Sequence, residues 1–375
     1  MRVLYVIDSL APGGAETSLA AMAPGLAHQG IELHVLPSGE NLDLAPQLRD
    51  AGACVHNRVH APGRLGNVRE VVHRARAVTP DLIHTTLFEA DIAGRVAARL
   101  AALPSSTSIV GETYGDAQRT VRNPHKLRAA LTIDRATARL ARRFHSVSSD
   151  LARQTAEKLR IPLGIIDVIP RGRASEGLAY RPEGVRGKVR RDFGIGDRTS
   201  VILTVGRLDA AKGLEYLIQA LPAVHNNFPR VVVLMAGKDG AASERIRSAA
   251  AASPVDIRLL GHRHDIPDLM AAADLLCFPS LSEGSPGTLI EAMAVGCPIV
   301  ASSIRANLEV LGHGPDVVGA VFPPGDPETL ASALLEALHH RDTPRTTRAR
   351  QRFEDQFQID SIAERMAKFF DRAAN

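Results

Sequence analysis

Two glutamates, Glu283 and Glu291, stand eight positions apart in the stretch EGSPGTLIEAMAVGCPIVAS. Gly284, Ser285, Pro286 and Gly287 resist helix, Thr288 to Val295 has helical composition, and Gly296 followed by Pro298 reads as a helix stop. One carboxylate therefore sits in a glycine-rich loop and the other in the helix that follows. Between them lie free backbone N–H groups and the positive end of a helix dipole, a place suited to an anion and a polyol held together. Glu283 can accept from sugar hydroxyls, and Glu291 can take the vicinal diol of a ribose. The N–H groups of Ser285, Gly287 and Thr288 are available to phosphate or sugar oxygens, whereas Pro286 supplies none.

A second stretch, TVGRLDAAKGLEYLIQA, ends a strand at Gly206, continues with Arg207, and opens a helix with Lys212 and Gly213. A cation near a helix N-terminus is locally unfavourable, so an anion is expected to share the place. A diphosphate would be held by the arginine fork and by the lysine as a point charge. Cations so placed favour departure of a nucleoside diphosphate from a sugar. A third stretch, IDSLAPGGAETSLA, puts Gly13 and Gly14 at a helix entrance where backbone can approach a phosphate closely. It is not the GxGxxG fingerprint, so a dinucleotide enzyme is not expected. Taken singly, each stretch also describes a solvated helix entrance; together, each at a strand-to-helix junction, they are far more specific.

The elements that must position these loops alternate along the chain. RVLYVID, IELHVLPS, DLIHTTLF, SIVGETYG, RFHSVSS and IDVIPRG read as strands, with helices over 16–29, 68–78, 90–103 and 127–142. The segment AYRPEGVRGKVRRDFGIGDRTS is rich in glycine, proline and charge and reads as a linker. A second series follows: SVILTVGRL, RVVVLMAGK, DIRLLGH, DLLCFPS, PIVAS and GAVFPPGD. Near-continuous apolar strands alternating with helices predict an α/β protein with two parallel-sheet domains. A length of 375 residues agrees with two cores. Ligands in such sheets bind beyond the carboxyl ends of the strands. The formal charge of +4 does not argue for nucleic acid. Three widely spaced cysteines, Cys54, Cys277 and Cys297, predict neither a disulfide framework nor a zinc site, and point to a reducing compartment. The first apolar run is too short for a signal peptide, and none approaches the ~20 residues of a membrane span.

GRLDAAKG, the stretch from Gly261 to Ser302, and GAVFPPGDPETLASAL resemble the retaining glycosyltransferases of family four, with their G-R-L-x3-K-G and Glu-x7-Glu patterns. PGGAE, PDLIHTTLFEADIAGRVAARL and the FHSVSSD to VIPRG segment extend the resemblance, more weakly, into the first half. The resemblance implies a GT-B fold: two doubly wound Rossmann-like domains facing a cleft, with a C-terminal helix crossing back. It places an acceptor-binding domain at 1–182 together with the helix 357–375, and a donor-binding domain at 183–356. It implies a nucleotide-sugar donor, UDP- or GDP-linked, and a glycan, lipid-linked or small-molecule acceptor. Arg207 and Lys212 would hold the diphosphate, Glu283 would face the sugar, Glu291 the ribose, and Gly14 the phosphates. The base would lie near Gly237, Lys238, Gly261, His262 and Arg263. No metal or other cofactor is expected.

One departure stands out. Many relatives carry a histidine after a middle strand of the first domain; here Tyr114 takes its place, where its hydroxyl could donate to a sugar oxygen, with Glu112 as the next candidate. His84 reads instead as a strand-end histidine. A cytoplasmic protein is expected, and basic residues from Arg119 to Arg143 suit peripheral attachment to anionic lipid at the inner face of a membrane, although a solvated helix face or a basic wall near the cleft explains them as well. Other readings of the architecture are a nucleotide-sugar 2-epimerase-like isomerase and a non-catalytic nucleotide-sugar-binding subunit.

Overall fold

The computed structural model describes residues 1–61, 63–111, 114, 124–176, 178, 184–340 and 343–375. The chain divides into two units, Met1–Gly172 with Gln358–Asn375, and Arg173–Phe357. The predicted boundary at 182/183 lies outside the described residues. The chain has passed to the second unit by Arg173, whose backbone N–H donates to Phe357 O at 2.9 Å. The other predicted boundary, at 356/357, moves by one residue, since Phe357 is buried in the second unit's core.

The first unit runs β1 (Arg2–Ile7), α1 (Gly14–His28), β2 (Glu32–Pro37), α2 (Ala45–Asp50), β3 (Cys54–Val55), α3 (Arg64–Val78), β4 (Leu82–Thr86), α4 (Phe88–Leu100), β5 (Ser105–Ile109), α5 (Pro124–Ala138), β6 (Arg143–Ser146), α6 (Ser149–Leu159) and β7 (Ile166–Val168). Its sheet is parallel throughout the described residues, in the order β3-β2-β1-β4-β5-β6-β7. β1 is an interior strand because VLYVI is apolar on both faces, and Val3 to Ile7 are all buried.

The second unit runs α7 (Val185–Asp192), β8 (Ser200–Val205), α8 (Leu214–Asn227), β9 (Val231–Ala236), α9 (Ser243–Ala251), β10 (Asp256–Gly261), α10 (Ile266–Ala272), β11 (Leu275–Phe278), α11 (Gly287–Val295), β12 (Ile299–Ser302), α12 (Arg305–Leu311), β13 (Ala320–Phe322), α13 (Pro327–His339) and α14 (Thr343–Gln356). Its sheet is also parallel, in the order β10-β9-β8-β11-β12-β13. The last helix, α15 (Ile359–Ala374), returns to the first unit and packs on α1. It does so through one apolar stripe that includes Ile362, Met366, Phe369 and Phe370, all buried. Each of those phenylalanines contributes about 2 kcal/mol by burial.

Three local readings differ from the sequence-based ones. The strand expected at SIVGETYG begins earlier, at Ser105, and ends at Ile109. The Ser and Thr residues at its start lie outside the expected strand, and here their hydroxyls face buried partners. Thr107 Oγ1 lies 2.8 Å from Thr85 Oγ1 and accepts from Arg95 Nε at 2.9 Å. His84 sits within β4, fully buried, rather than at a strand end, between Ser106 Oγ and Ser108 Oγ at 2.8 Å each. Ser108 also meets His145, whose Nε2 donates to Ile169 O at 2.8 Å. That last carbonyl can only accept, so His145 Nε2 carries a hydrogen, and burial lowers both pKa values, that of His145 to about 4.

The predicted linker contains the helix α7. Its arginines are structural: Arg186 Nη2 and Arg190 Nη2 pair with the two oxygens of Asp274 at 2.6 and 2.8 Å. Arg186 and Arg190 also donate to the carbonyl of Ala272 at the end of α10, the favourable end of a helix for a cation. The short pair α2 and β3 was not foreseen. No helix among the described residues is long and apolar enough to cross a membrane.

Candidate functional site

The strand orders fix where loops gather. In the second unit the chain steps from β8 to β9 on one side and later to β11 on the other, so the β8–β11 boundary is a topological switch point. Arg207 and Lys212 follow β8, and Glu283 follows β11. The two loops are laced together by the Leu281 N–H donating to Ala211 O at 2.8 Å. Lys212 Nζ donates to Glu283 Oε1 at 2.5 Å across 71 residues of sequence, with both side chains largely covered. The same ammonium lies 5.8 Å from the centre of the Phe278 ring. Arg207 is more open, with a side chain 66% exposed and its Nε 2.6 Å from Asp209 Oδ2. Each cation expected at a diphosphate is thus paired with a carboxylate.

α11 supplies the second part. Gly287 is its first residue, Thr288 follows, and Glu291 stands one turn in. Ser285 is buried, and its hydroxyl finds no partner among the described residues. Glu291 Oε1 accepts from Arg173 Nε at 2.7 Å. The Arg173 guanidinium rests on Gly287, where any Cβ would fall on Nη2. Sequence reasoning passed over Arg173, although it lies one residue beyond the quoted VIPRG.

Gly206, Gly237 and Gly261 sit at the carboxyl ends of β8, β9 and β10. The Gly237 N–H donates to Gly261 O at 2.8 Å, and Lys238 O accepts from Leu208 N at 3.0 Å. The structure therefore brings the expected base-binding backbone to the same sheet edge as Lys212 and Glu283. His262 is exposed, and its pKa is lowered by desolvation and by Lys238. Arg263 is forked onto Asp265 at 2.8 and 2.6 Å.

In the first unit, Gly13 caps α1 and Gly14 begins it. A Cβ on Gly14 would meet Arg171 Nη1 at 2.7 Å. Beside them, at the β1–β4 switch point, opens a cavity of about 520 Å³ lined by Asp8, Asp91, Tyr114, Lys158 and Arg171 among others. Asp8 accepts from the Ala90 N–H at 2.7 Å at the start of α4. Burial raises the Asp8 pKa above its ordinary value and pushes that of Asp91 up to about 8. Asp8 and Asp91 were also missed, since a lone aspartate after a strand or in the first turn of a helix carries no local signal.

Tyr114 is buried, and its hydroxyl donates to Asp134 Oδ2 at 2.8 Å. Arg95, itself 1% exposed, donates to the other oxygen of Asp134 at 2.6 Å. Burial and the Asp134 charge raise the Tyr114 pKa well above its ordinary value. The hydroxyl expected at a sugar is thus engaged in the cavity wall. Glu112 lies outside the described residues.

Arg119 and Arg122 of the basic stretch also lie outside the described residues. Others are engaged within the unit: Arg135 Nε with Lys158 O at 2.5 Å, Arg142 with Ala374 O at 2.7 Å, and Arg143 with Asp167 at 2.9 Å. Among the described residues no group of three or more His, Cys, Asp or Glu side chains is placed to hold a metal ion.

Residues 12–175 match the family described as Glycosyltransferase Family 4, and residues 199–340 match Glycosyl transferases group 1. A phosphatidyl-myo-inositol mannosyltransferase of Mycobacterium leprae is 38% identical over 143 residues, which is 37% of this chain and 37% of that relative's length. A D-inositol 3-phosphate glycosyltransferase of Pseudarthrobacter chlorophenolicus is 24% identical over 80% of this chain and 77% of its own. Among solved structures, HepE of Anabaena in complex with UDP superposes with a TM-score of 0.84 at 23% identity, covering 99% of this chain and 100% of its own. The fold is the GT-B fold.

Proposed function

The chain belongs to the group 1, family-four glycosyltransferases, and from that premise we propose that it transfers a sugar, with retention, from a nucleoside diphosphate donor to a hydroxyl. The observation that carries the reading is the Lys212–Glu283 pair at the β8–β11 switch point, beside the entrance of α11. Lys212 keeps two further N–H donors beyond the one on Glu283, enough to hold a phosphate oxygen without leaving the carboxylate. Arg207 and the N–H groups of Gly287 and Thr288 complete the diphosphate site, with the Ser285 hydroxyl as a further donor. Glu283 faces the sugar, Glu291 the ribose, and the base lies along Gly237, Lys238 and Gly261 to Arg263.

In the reaction the bond from the anomeric carbon to the diphosphate oxygen breaks. The acceptor oxygen bonds the same carbon on the same face, and its proton passes to the departing phosphate. Cations preorganised at the leaving oxygens act on charge that develops in the transition state. They perform the neutralisation a metal would otherwise supply, so turnover is expected to survive a chelator.

UDP is the nucleotide to try first, because HepE, of the same fold, was solved with it. The acceptor is assigned to the cavity of the first unit, whose hydroxyls, carboxyls and cations suit a polyol. Two relatives named for inositol substrates agree with that class. The test is calorimetry with UDP and GDP, followed by release of free nucleoside diphosphate from UDP- and GDP-sugars in the presence of inositol, inositol phosphates or lipid-linked sugars. Binding with turnover that needs an acceptor supports transfer. A donor epimerised without release of nucleotide, or bound without turnover on any acceptor, overturns it.

A further inference from the structure

We propose that Arg173 is a positioning residue for ribose recognition: it clamps the Glu291 carboxylate so that the site distinguishes ribonucleotides from 2′-deoxyribonucleotides. The inference rests on the reading of Glu291 as the ribose acceptor and adds the group that aims it.

Arg173 and Glu291 are 118 residues apart in sequence, yet Nε and Oε1 meet at 2.7 Å. The two side chains are 22% and 23% exposed, so the pair is sheltered but still open on one side. The arginine is anchored at its base, where its backbone N–H donates to Phe357 O at 2.9 Å. Its guanidinium lies across Gly287, close enough that a Cβ there would fall on Nη2. Gly287 is thus the one residue type that lets the guanidinium reach Glu291 over the first turn of α11.

The placement runs against the helix dipole, which disfavours a cation at an N-terminus. An ionised carboxylate one turn in offsets that cost, and a phosphate at the same entrance would offset it further. With Oε1 held, the carboxylate is restrained, and its second oxygen remains able to accept from a hydroxyl. Two neighbouring hydroxyls need such a fixed acceptor; a carboxylate that swings on an unheld side chain must be ordered at the moment of binding. Loss of the 2′-hydroxyl then removes one charge-assisted hydrogen bond from an arrangement already aligned to receive two.

Calorimetry of the full chain with UDP and 2′-deoxy-UDP, and with GDP and 2′-deoxy-GDP alongside, tests this in wild type, Glu291→Ala, Arg173→Ala, Arg173→Lys and Gly287→Ala. The wild type is expected to prefer the ribonucleotide by about tenfold or more. Glu291→Ala, Arg173→Ala and Gly287→Ala should each bring the preference to within about threefold, and Gly287→Ala combined with Arg173→Ala should add nothing further. Arg173→Lys keeps the charge but not the planar fork, and should not restore the preference. Should Arg173→Ala unfold, Gly287→Ala, which displaces the guanidinium without deleting it, carries the test. If Glu291→Ala retains the preference, the ribose reading fails and the clamp with it. If Glu291→Ala loses it while Arg173→Ala and Gly287→Ala keep it, the clamp alone is wrong. Absence of binding by either nucleotide pair overturns the donor reading itself.

Discussion

In the first unit the Arg171 guanidinium lies against Gly14 at the start of α1; in the second, that of Arg173 lies against Gly287 at the start of α11. The two entrances share a glycine, an arginine and a helix dipole, but their carboxyl groups differ. Around the first, Asp8 and Asp91 are half-buried with raised pKa values, that of Asp91 about 8 although Arg95 Nη2 lies 3.8 Å from its Oδ2. Around the second, Glu291 is matched by Arg173 and Glu283 by Lys212. A protonated carboxyl both donates and accepts, which suits neutral hydroxyls. A carboxylate already joined to a cation leaves the cation able to share a phosphate. On the proposed reading, similar backbone scaffolding would serve a polyol in one unit and an anion in the other.

The largest effect that would break this comparison comes from Lys212. Lys212→Ala is expected to lower kcat by about 10²–10³, as removal of a preorganised donor at a leaving group does. The melting temperature should fall as well, because the sheltered Glu283 carboxylate loses its cation, so kcat is to be read well below the melt. Turnover within threefold of wild type would remove the second unit's claim to the diphosphate. Arg207→Ala should cost less, about tenfold in kcat, because its side chain is mostly exposed and can be partly replaced by water.

Asp91 sharpens the other side. Asp91→Asn keeps the shape and the donating ability of the protonated acid, so acceptor KM should rise by no more than about threefold, whereas Asp91→Ala should raise it about tenfold. Donor affinity should be unchanged in both. A thermal melt series adds the sign. The folded-state pKa of about 8 lies above the ordinary 3.8, so the native chain binds the extra proton and this group's contribution to stability falls as pH rises from about 4 to about 8. Asp91→Asn should therefore gain on wild type across that window, with no difference developing below it. A flat difference from pH 4 to 8 would show that Asp91 is ionised and that the two sites are alike.

Tyr114 gives a smaller effect. Tyr114→Phe removes one hydrogen bond to the buried Asp134 and should cost about 1–2 kcal/mol in denaturant melts, while Arg95 still holds the other oxygen. The rate should fall only a few-fold, with product configuration retained. A loss of 10²-fold in kcat with an unchanged melt would return the hydroxyl to the chemistry. The smallest expected effect is that of EDTA, which should leave initial rates within error; inhibition reversed by a divalent cation would show that Arg207 and Lys212 do not suffice.

The sequence by itself determined the two-sheet architecture and which loops follow its strands. Every strand expected in the second unit is present, because continuous apolar runs such as RVVVLMA can only be buried strands or core helix, and their length and β-branched content decide for strand. Gly206, Lys212, Glu283 and Gly287 were legible for a similar reason: glycine and charge immediately after an apolar strand mark the edge where such sheets bind ligands.

Tertiary structure decided the rest. No local rule reveals that Ser105 to Ser108 is a strand, because its hydroxyls are satisfied by His84, Thr85, Arg95 and other groups from elsewhere in the fold. The arginines of α7 looked like linker charge until Asp274 appeared beside them. Lys212 meets Glu283, and Arg173 meets Glu291, only because the fold carries one loop or segment beside another that is distant in sequence. Tyr114 was read from its neighbours in sequence, but its hydroxyl answers to Asp134, a helix away. Pattern and propensity act over a few residues; pairing of charges, and the pKa values that follow from burial, act over distances that only the folded chain defines.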